Sequence, residues 1–133
     1  MPFADNGLTI IPDNITDEQA LFNGDILSTG FWAARLGEIR PADTVAVIGA
    51  GPTGLCTMMC AKLYTPARII AIDIDEHRLA LAKEKGLADV TLTAGKDDIE
   101  AAVFSLTEDR GADVVFEAAG GRDTFQTAWK IAR

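Results

Sequence analysis

Two kinds of apolar pattern alternate along this chain. Val45 to Ile48 and Ile69 to Ile72 are short, nearly unbroken apolar runs, the pattern of strands buried on both faces. Val90 to Leu92 and Val114 to Phe116 are shorter runs of the same kind. Between them the apolar positions fall at helical spacing. A helix is predicted from the glycine-rich turn after the first run to about Tyr64. A second runs from Glu76 to Lys85, with Asp75 as its N-cap and Gly86 as its C-cap. A third, capped by Asp97 or Asp98, carries Ile99, Ala102, Val103 and Leu106 on one face. Gly111 ends the loop before the fourth strand, and Gly120-Gly121 turns the chain after it. Asp123 then opens a helix with Phe125, Ala128, Trp129 and Ala132 on one face.

The stretch before Pro41 reads differently. Asn6-Gly7 predicts a turn, and Leu8 to Ile11 a short extended piece ended by Pro12. Thr16-Asp17-Glu18-Gln19 has the form of a capping box, so a helix should start there until Asn23-Gly24 interrupts it. A second helix is predicted from about Ser28 to Glu38, with Trp32, Leu36 and Ile39 at i, i+4 and i+7. Residues 1–41 are therefore read as a lead-in segment and 42–133 as the main domain. Strands alternating with helices at this spacing predict an α/β fold with a doubly wound parallel sheet. The expected strand order is 3-2-1-4, with a ligand crevice at the carboxyl ends of strands 1 and 4. A complete fold of this kind adds strands 5 and 6, so the chain is expected to stop before them, leaving strand 4 as an unpaired edge.

Chemistry enters at Gly49-Ala50-Gly51-Pro52-Thr53-Gly54, a G-x-G-x-x-G placed between the first strand and its helix. Gly49 can take the backbone angles of a tight turn. Gly51 lets a pyrophosphate approach the main chain, and Gly54 lets the helix lie close on the strand. Pro52 suits a first helical turn, where its missing N–H would have had no partner. The free N–H groups of that turn, with the positive end of the helix dipole, then face the phosphates. About 20 residues further on, Asp73 ends the second strand, where a carboxylate accepts hydrogen bonds from the ribose hydroxyls of an adenosine. It repels a 2′-phosphate, so the expected cofactor is NAD rather than NADP. This context is that of a Rossmann-like dinucleotide site; a glycine-rich turn without a ligand is the plain alternative.

Composition sets limits on partners. The 133 residues are 48% hydrophobic and carry a formal net charge of −8. That charge argues against a nucleic-acid partner, since such binding rests largely on neutralising phosphates. No apolar run approaches the roughly 20 residues of a membrane span, and no signal peptide opens the chain, so a cytoplasmic location is expected. Cys56 and Cys60 are the only cysteines. Two thiols are an incomplete metal site, and small buried core residues are the better reading.

Beyond these local signals, the chain resembles the nucleotide-binding domain of the zinc-dependent, medium-chain alcohol dehydrogenases. The resemblance runs from Pro12-Asp13 through Asp25-Ile26-Leu27-Ser28-Thr29-Gly30-Phe31-Trp32-Ala33-Ala34 to VIGAGPTGL, AIDIDEHRLALAKEKGLADV and GADVVFEAAGG. It implies hydride transfer between a small alcohol and NAD, aided by a zinc ion that polarises the alcohol oxygen. Asp25 matches the position of a catalytic zinc ligand, Cys or Asp in the family. Thr29 matches a threonine near the nicotinamide, and Arg78 a basic residue beside the adenosine ribose. Ala118, Ala119 and Gly120 should line the crevice by backbone contact. With Thr53 and Ile74, which adjoins Asp73, these complete the expected cofactor-binding set.

The family's catalytic domain, with its zinc-binding Cys and His-Glu pair, has no counterpart here. His77 is the only histidine and reads as a surface residue near the adenine. The chain is therefore expected to bind NAD without turnover, within a longer, homo-oligomeric enzyme acting on an alcohol or aldehyde. Two other classes share part of this pattern. FAD domains share V-I-G-A-G-P-x-G-L, but usually near the N-terminus and with Glu as the acid. Nucleotide-sensing regulatory domains share the alternation, but not the D-x-x-S-T-G approach.

Overall fold

In the computed structural model, which describes residues 4–133, a four-stranded parallel sheet has the order β3-β2-β1-β4. The first three residues of the expected lead-in lie outside the described part. The strands are β1 (Thr44–Ile48), β2 (Arg68–Asp73), β3 (Val90–Thr93) and β4 (Val114–Glu117). The helices are α1 (Ala4–Gly7), α2 (Asp17–Leu21), α3 (Ile26–Leu36), α4 (Pro52–Ala61), α5 (Glu76–Glu84), α6 (Ile99–Leu106) and α7 (Thr124–Ile131). Register follows from the two longest strands, with Val45 opposite Ile69 and Ile48 opposite Ile72. On the other side of β1, Val45 lies opposite Val114 and Ile48 opposite Glu117.

The unbroken apolar runs are explained by a core on each face of the sheet. Val45, Val47, Ile69 and Ala71 point to one side, where they meet Ala34 and Ile39, Met58 of α4 and Leu79 of α5. Ala46, Ile48, Ile70 and Ile72 point to the other, toward Val103 of α6 and Ile131 of α7. Period-two alternation with both faces covered leaves no place for a polar residue, so β1 reads as continuously apolar. Each fully buried branched side chain contributes roughly 1.5–3 kcal/mol relative to exposure.

The caps follow the sequence. Thr16 and Gln19 make both arms of a capping box at α2. Asp75 accepts from the N–H groups of His77 and Arg78, and Asp98 from that of Ala101. Asp97 has a different task, accepting from Thr93 N–H at 2.6 Å.

Several expectations change. Asn6-Gly7 closes the single helical turn of α1, and Leu8–Ile11 forms no strand. The helix expected from Ser28 begins two residues earlier, at Ile26. The helix also ends at Leu36, and the expected stripe divides: Ile39, beyond its end, is buried, while Trp32 and Leu36 are exposed. The inward face of α7 is Ala128 and Ile131, and Phe125 and Trp129 face outward. The physical reason is available width: Ala128 lets α7 lie close beside α6 and β4, and no described element covers its aromatic side.

Helix α3 owes its place to a glycine. A Cβ on Gly30 would lie 2.8 Å from the carbonyl carbon of Cys56 and from the amide nitrogen of Thr57. The two helices therefore meet backbone to backbone. Gly30→Ala should force α3 away from α4 and cost about 2 kcal/mol, read by urea denaturation followed by circular dichroism. An unchanged midpoint would mean that the helices do not pack this way.

The amino ends of β1 and β4 are tied by Asp113. Its Oδ2 accepts from Thr44 N–H at 2.8 Å and its Oδ1 from Arg133 Nη1 at 2.8 Å. The Thr44 bond, helped by Arg133 and opposed by partial burial, holds the carboxyl below the ordinary carboxylate range. A carboxyl so depressed stabilises the fold fully above its unfolded-state pKa and loses that contribution as pH falls through its folded value. The stability gap between the parent chain and Asp113→Asn should therefore narrow as pH falls from about 5 to about 2. A gap constant across that range would show that the charge on Asp113 contributes nothing.

Candidate cofactor-binding site

The turn from β1 into α4 is built almost without side chains. Gly49 has φ +98°, and its N–H donates to the Ile72 carbonyl at 2.7 Å. A Cβ there would lie 2.8 Å from the Ala119 amide nitrogen, so only glycine lets the loop after β4 sit beside the turn. A Cβ on Gly54 would lie 1.8 Å from the Gly49 carbonyl oxygen, which is how closely α4 approaches the turn. Gly51 is the opposite case. Its φ of −72° suits any residue, and the nearest atom to an added Cβ is Arg78 Nη1 at 3.9 Å. The space beside Gly51 is open because it faces a cleft.

That cleft has a volume of about 440 Å³ and lies at the carboxyl ends of β1, β2 and β4. Gly49, Gly51, Pro52, Asp73, Ile74, Arg78, Ala118 and Ala119 all line it. Pro52 opens α4 and no side chain caps the helix, so the first-turn N–H groups of Thr53 and Gly54 point outward from its end. Gly120, with φ +70°, lies between Ala119 and the cleft-lining Gly121. Larger hollows exist, including an apolar groove of about 790 Å³ between Phe22, Ile26, Leu27 and the Leu55–Met59 side of α4. The smaller cleft is the one where a helix N-terminus, bare backbone and a carboxylate converge.

Asp73 is buried, with 7% of its surface exposed, and each of its carboxylate oxygens accepts one backbone hydrogen bond, which leaves acceptor capacity on both. Oδ2 accepts from Ala50 N–H at 2.6 Å and Oδ1 from Asp75 N–H at 2.8 Å. The acid thus holds the glycine turn and the start of α5 as well as lining the cleft. Arg78 stands over it, with Nη1 3.9 Å from Asp73 Oδ2 and Nε 3.7 Å from Asp75 Oδ2. Its side chain is half exposed.

Two expected residues lie elsewhere. Thr29 is exposed on α3, beside a shallow hollow bounded by Phe31 and Trp32. Asp25 precedes α3 and is exposed, and its side chain makes no capping bond. Among the described residues no three His, Cys, Asp or Glu side chains come together as a metal site. A zinc centre does not fit this chain by itself. The thiols do not change this: burial pushes both Cys56 and Cys60 up, and Cys56 adds to the shift of Cys60. Cys60 is a core residue and Cys56 is half-buried. His77 is exposed.

Sequence reasoning missed part of the wall. Ile48, Ile72, Ala94, Gly121 and Thr124 also line the cleft. Ala94 follows the last residue of β3, so counting forward from every strand end would have found it. Glu117 was missed as well. Its Oε1 accepts from Ala119 N–H at 3.0 Å and from Gly120 N–H at 2.9 Å, and lies 2.8 Å from Thr124 Oγ1. An acid at the end of a strand gives no sign of this in sequence.

The dinucleotide cradle has the open space at Gly51 that a pyrophosphate needs, so these residues fit such a group. Residues 52–133 match the family of zinc-binding dehydrogenases. An alcohol dehydrogenase of Cupriavidus necator is 44% identical over all 133 residues, which span 36% of that protein. The NADP-dependent isopropanol dehydrogenase of Thermoanaerobacter brockii is 37% identical over 98% of this chain and 37% of its own. The solved structure of alcohol dehydrogenase TADH from Thermus sp. ATN1 superposes with a TM-score of 0.88 at 39% identity, over 94% of this chain and 36% of that one. The chain thus spans about a third of the length of the relatives it matches. With its sheet order, its glycine turn and this match over most of its length, the chain belongs to the zinc-binding, medium-chain alcohol dehydrogenase family.

Proposed function

We propose that this chain is the NAD-binding part of a zinc-dependent alcohol dehydrogenase. The observation that carries the reading is the open space beside Gly51, between the N-terminus of α4 and the carboxylate of Asp73. The outward N–H groups of Thr53 and Gly54 would hold the pyrophosphate. Asp73 would accept from the adenosine ribose hydroxyls, and Arg78 and Ile74 would flank that ribose. Ala118, Ala119 and Gly120 would give the opposite wall by backbone. When bound, the nicotinamide supplies a hydride acceptor for the alcohol carbon.

Asp25 and Thr29 belong to the same proposal at one remove. Asp25 is free of capping duty and would ligate zinc only together with donors from outside the described residues. The small alcohol or aldehyde substrate, a homo-oligomeric parent and a cytoplasmic location are parts of this reading. Residues 1–41 would form the lead-in from the catalytic part of the enzyme.

Calorimetric titration of the chain with each cofactor tests the reading. Saturable NAD binding is expected, with NADP weaker by at least about tenfold, because Asp73 would face the 2′-phosphate. With alcohol, NAD and zinc supplied together, no turnover is expected. Equal or tighter NADP binding would overturn the cofactor assignment, and zinc-dependent turnover would overturn the division of labour.

Gly51→Ala separates site from scaffold. Its backbone angles suit alanine and its Cβ meets nothing closer than 3.9 Å, so the melting temperature should change by only a few degrees, the poorer N-cap offsetting the gain in chain stiffness. NAD affinity should fall by about tenfold or more, because the methyl occupies the pyrophosphate approach. Parent-like affinity would mean that the phosphates lie elsewhere.

A further inference from the structure

The wall of the cleft opposite the glycine turn is a loop, and its shape depends on one carboxylate. From the end of β4 to the start of α7 the chain reads Glu117-Ala118-Ala119-Gly120-Gly121-Arg122-Asp123-Thr124. Ala118 is fixed by the sheet, since its N–H donates to the Ile48 carbonyl at 2.8 Å. Beyond it the ladder stops. The next two amides, of Ala119 and Gly120, both donate to Glu117 Oε1, at 3.0 and 2.9 Å. The carboxylate therefore folds the chain back over itself where Gly120 takes φ +70°.

Thr124 makes a third contact with the same oxygen and carries the hold into α7. Its Oγ1 lies 2.8 Å from Glu117 Oε1 and 2.7 Å from the Gly121 carbonyl oxygen. A hydroxyl has one proton, so it donates to one of these acceptors at a time. Two fixed N–H donors and a shared hydroxyl on an ionised oxygen make a charge-assisted cluster. α7 has no side-chain cap from Asp123, so this cluster anchors the helix start in the cap's stead.

The loop has no slack on its other side. An added Cβ on Gly49 would touch Ala119 N at 2.8 Å and Ala118 C at 2.9 Å, so the two cleft walls already meet backbone to backbone. A small outward movement of Ala119 would widen the cleft at the place where a flat ligand must be gripped.

Resting on the dinucleotide reading above, we propose that Glu117 is a positioning residue that holds the Ala118–Thr124 loop in its ligand-binding shape before the cofactor arrives. It does not line the cleft itself. Its effect is preorganisation: without it, the loop must be ordered at the expense of binding energy.

The test compares Glu117→Ala and Glu117→Gln with the parent chain by NAD calorimetry and by amide hydrogen exchange without ligand. The glutamine side-chain oxygen can still accept both N–H groups, so Glu117→Gln should bind NAD within about threefold of the parent. Glu117→Ala should bind about tenfold more weakly. In the exchange experiment, Glu117→Ala should lose protection at Ala119 and Gly120 while Ala118, bonded to Ile48, stays protected. A merely structural role would slow or speed all three amides together and would leave NAD affinity unchanged among folded variants.

Parent-like affinity of Glu117→Ala would overturn the proposal, as would unchanged exchange at Ala119 and Gly120. Failure of the parent chain itself to bind NAD would overturn the dinucleotide reading and the purpose assigned to Glu117. The exchange result, which needs no ligand, would still decide whether the carboxylate holds the loop.

Discussion

The structure depends on a contact between two pieces of backbone. The first turn of α4 comes so close to the turn leaving β1 that no atom beyond hydrogen fits on Gly54. That approach sets the tilt of α4 on the sheet and brings its uncapped N-terminus to the mouth of the cleft. It also brings Ala50 N–H onto the Asp73 carboxylate, which joins β1 to β2 at the one end of the sheet where the ladder has run out. On the far side, Gly49 admits the β4 loop to the same point. Three strands are therefore gathered at one corner by glycine, and the cleft is the space left between them.

The carboxylates explain how a chain with net charge −8 stays folded without many buried ion pairs. Several work as backbone acceptors where strands begin or end. Asp113 takes the first N–H of β1 and Asp89 that of Ile69 in β2, at 2.7 Å. Asp97 does the same for Thr93, the last residue of β3, and Glu117 for Gly120 beyond β4. An edge amide left without a sheet partner is costly if buried, and a short acid satisfies it while keeping the rest of its charge in water. The cations answer in kind at the carbonyls: Arg68 donates to Leu106 O, Lys62 to Gly86 O and Lys83 to Asp89 O.

Much of this was legible in the sequence, for stated physical reasons. β1 and β2 are apolar on both faces because helices cover both, and that pattern survives without knowledge of any contact. The glycines declare themselves because each removes a side chain that geometry forbids, or that a ligand would displace. The sheet order followed from the alternation. What was hidden depends on partners distant in sequence. The face of α7 that turns inward is decided by α6 and β4, so Phe125 and Trp129 could not be told from core residues by spacing alone. Asp73 was readable as the acid that ends β2 beside the glycine turn, but its bond to Ala50 was not. Glu117 gave no local sign, since its partners are three donors of a loop whose curve the sequence does not spell out.

The outward aromatics have an optical consequence. Both tryptophans of the chain stand largely in water: Trp32 is 55% exposed beneath the Arg35 guanidinium, 5.7 Å from its ring, and Trp129 is 78% exposed. Their emission in the native chain should therefore lie close to that of solvated indole. Intrinsic fluorescence will therefore be nearly silent when the core of Met58, Ile70 and Val103 comes apart, and will respond instead to whatever surface settles over α3 or α7.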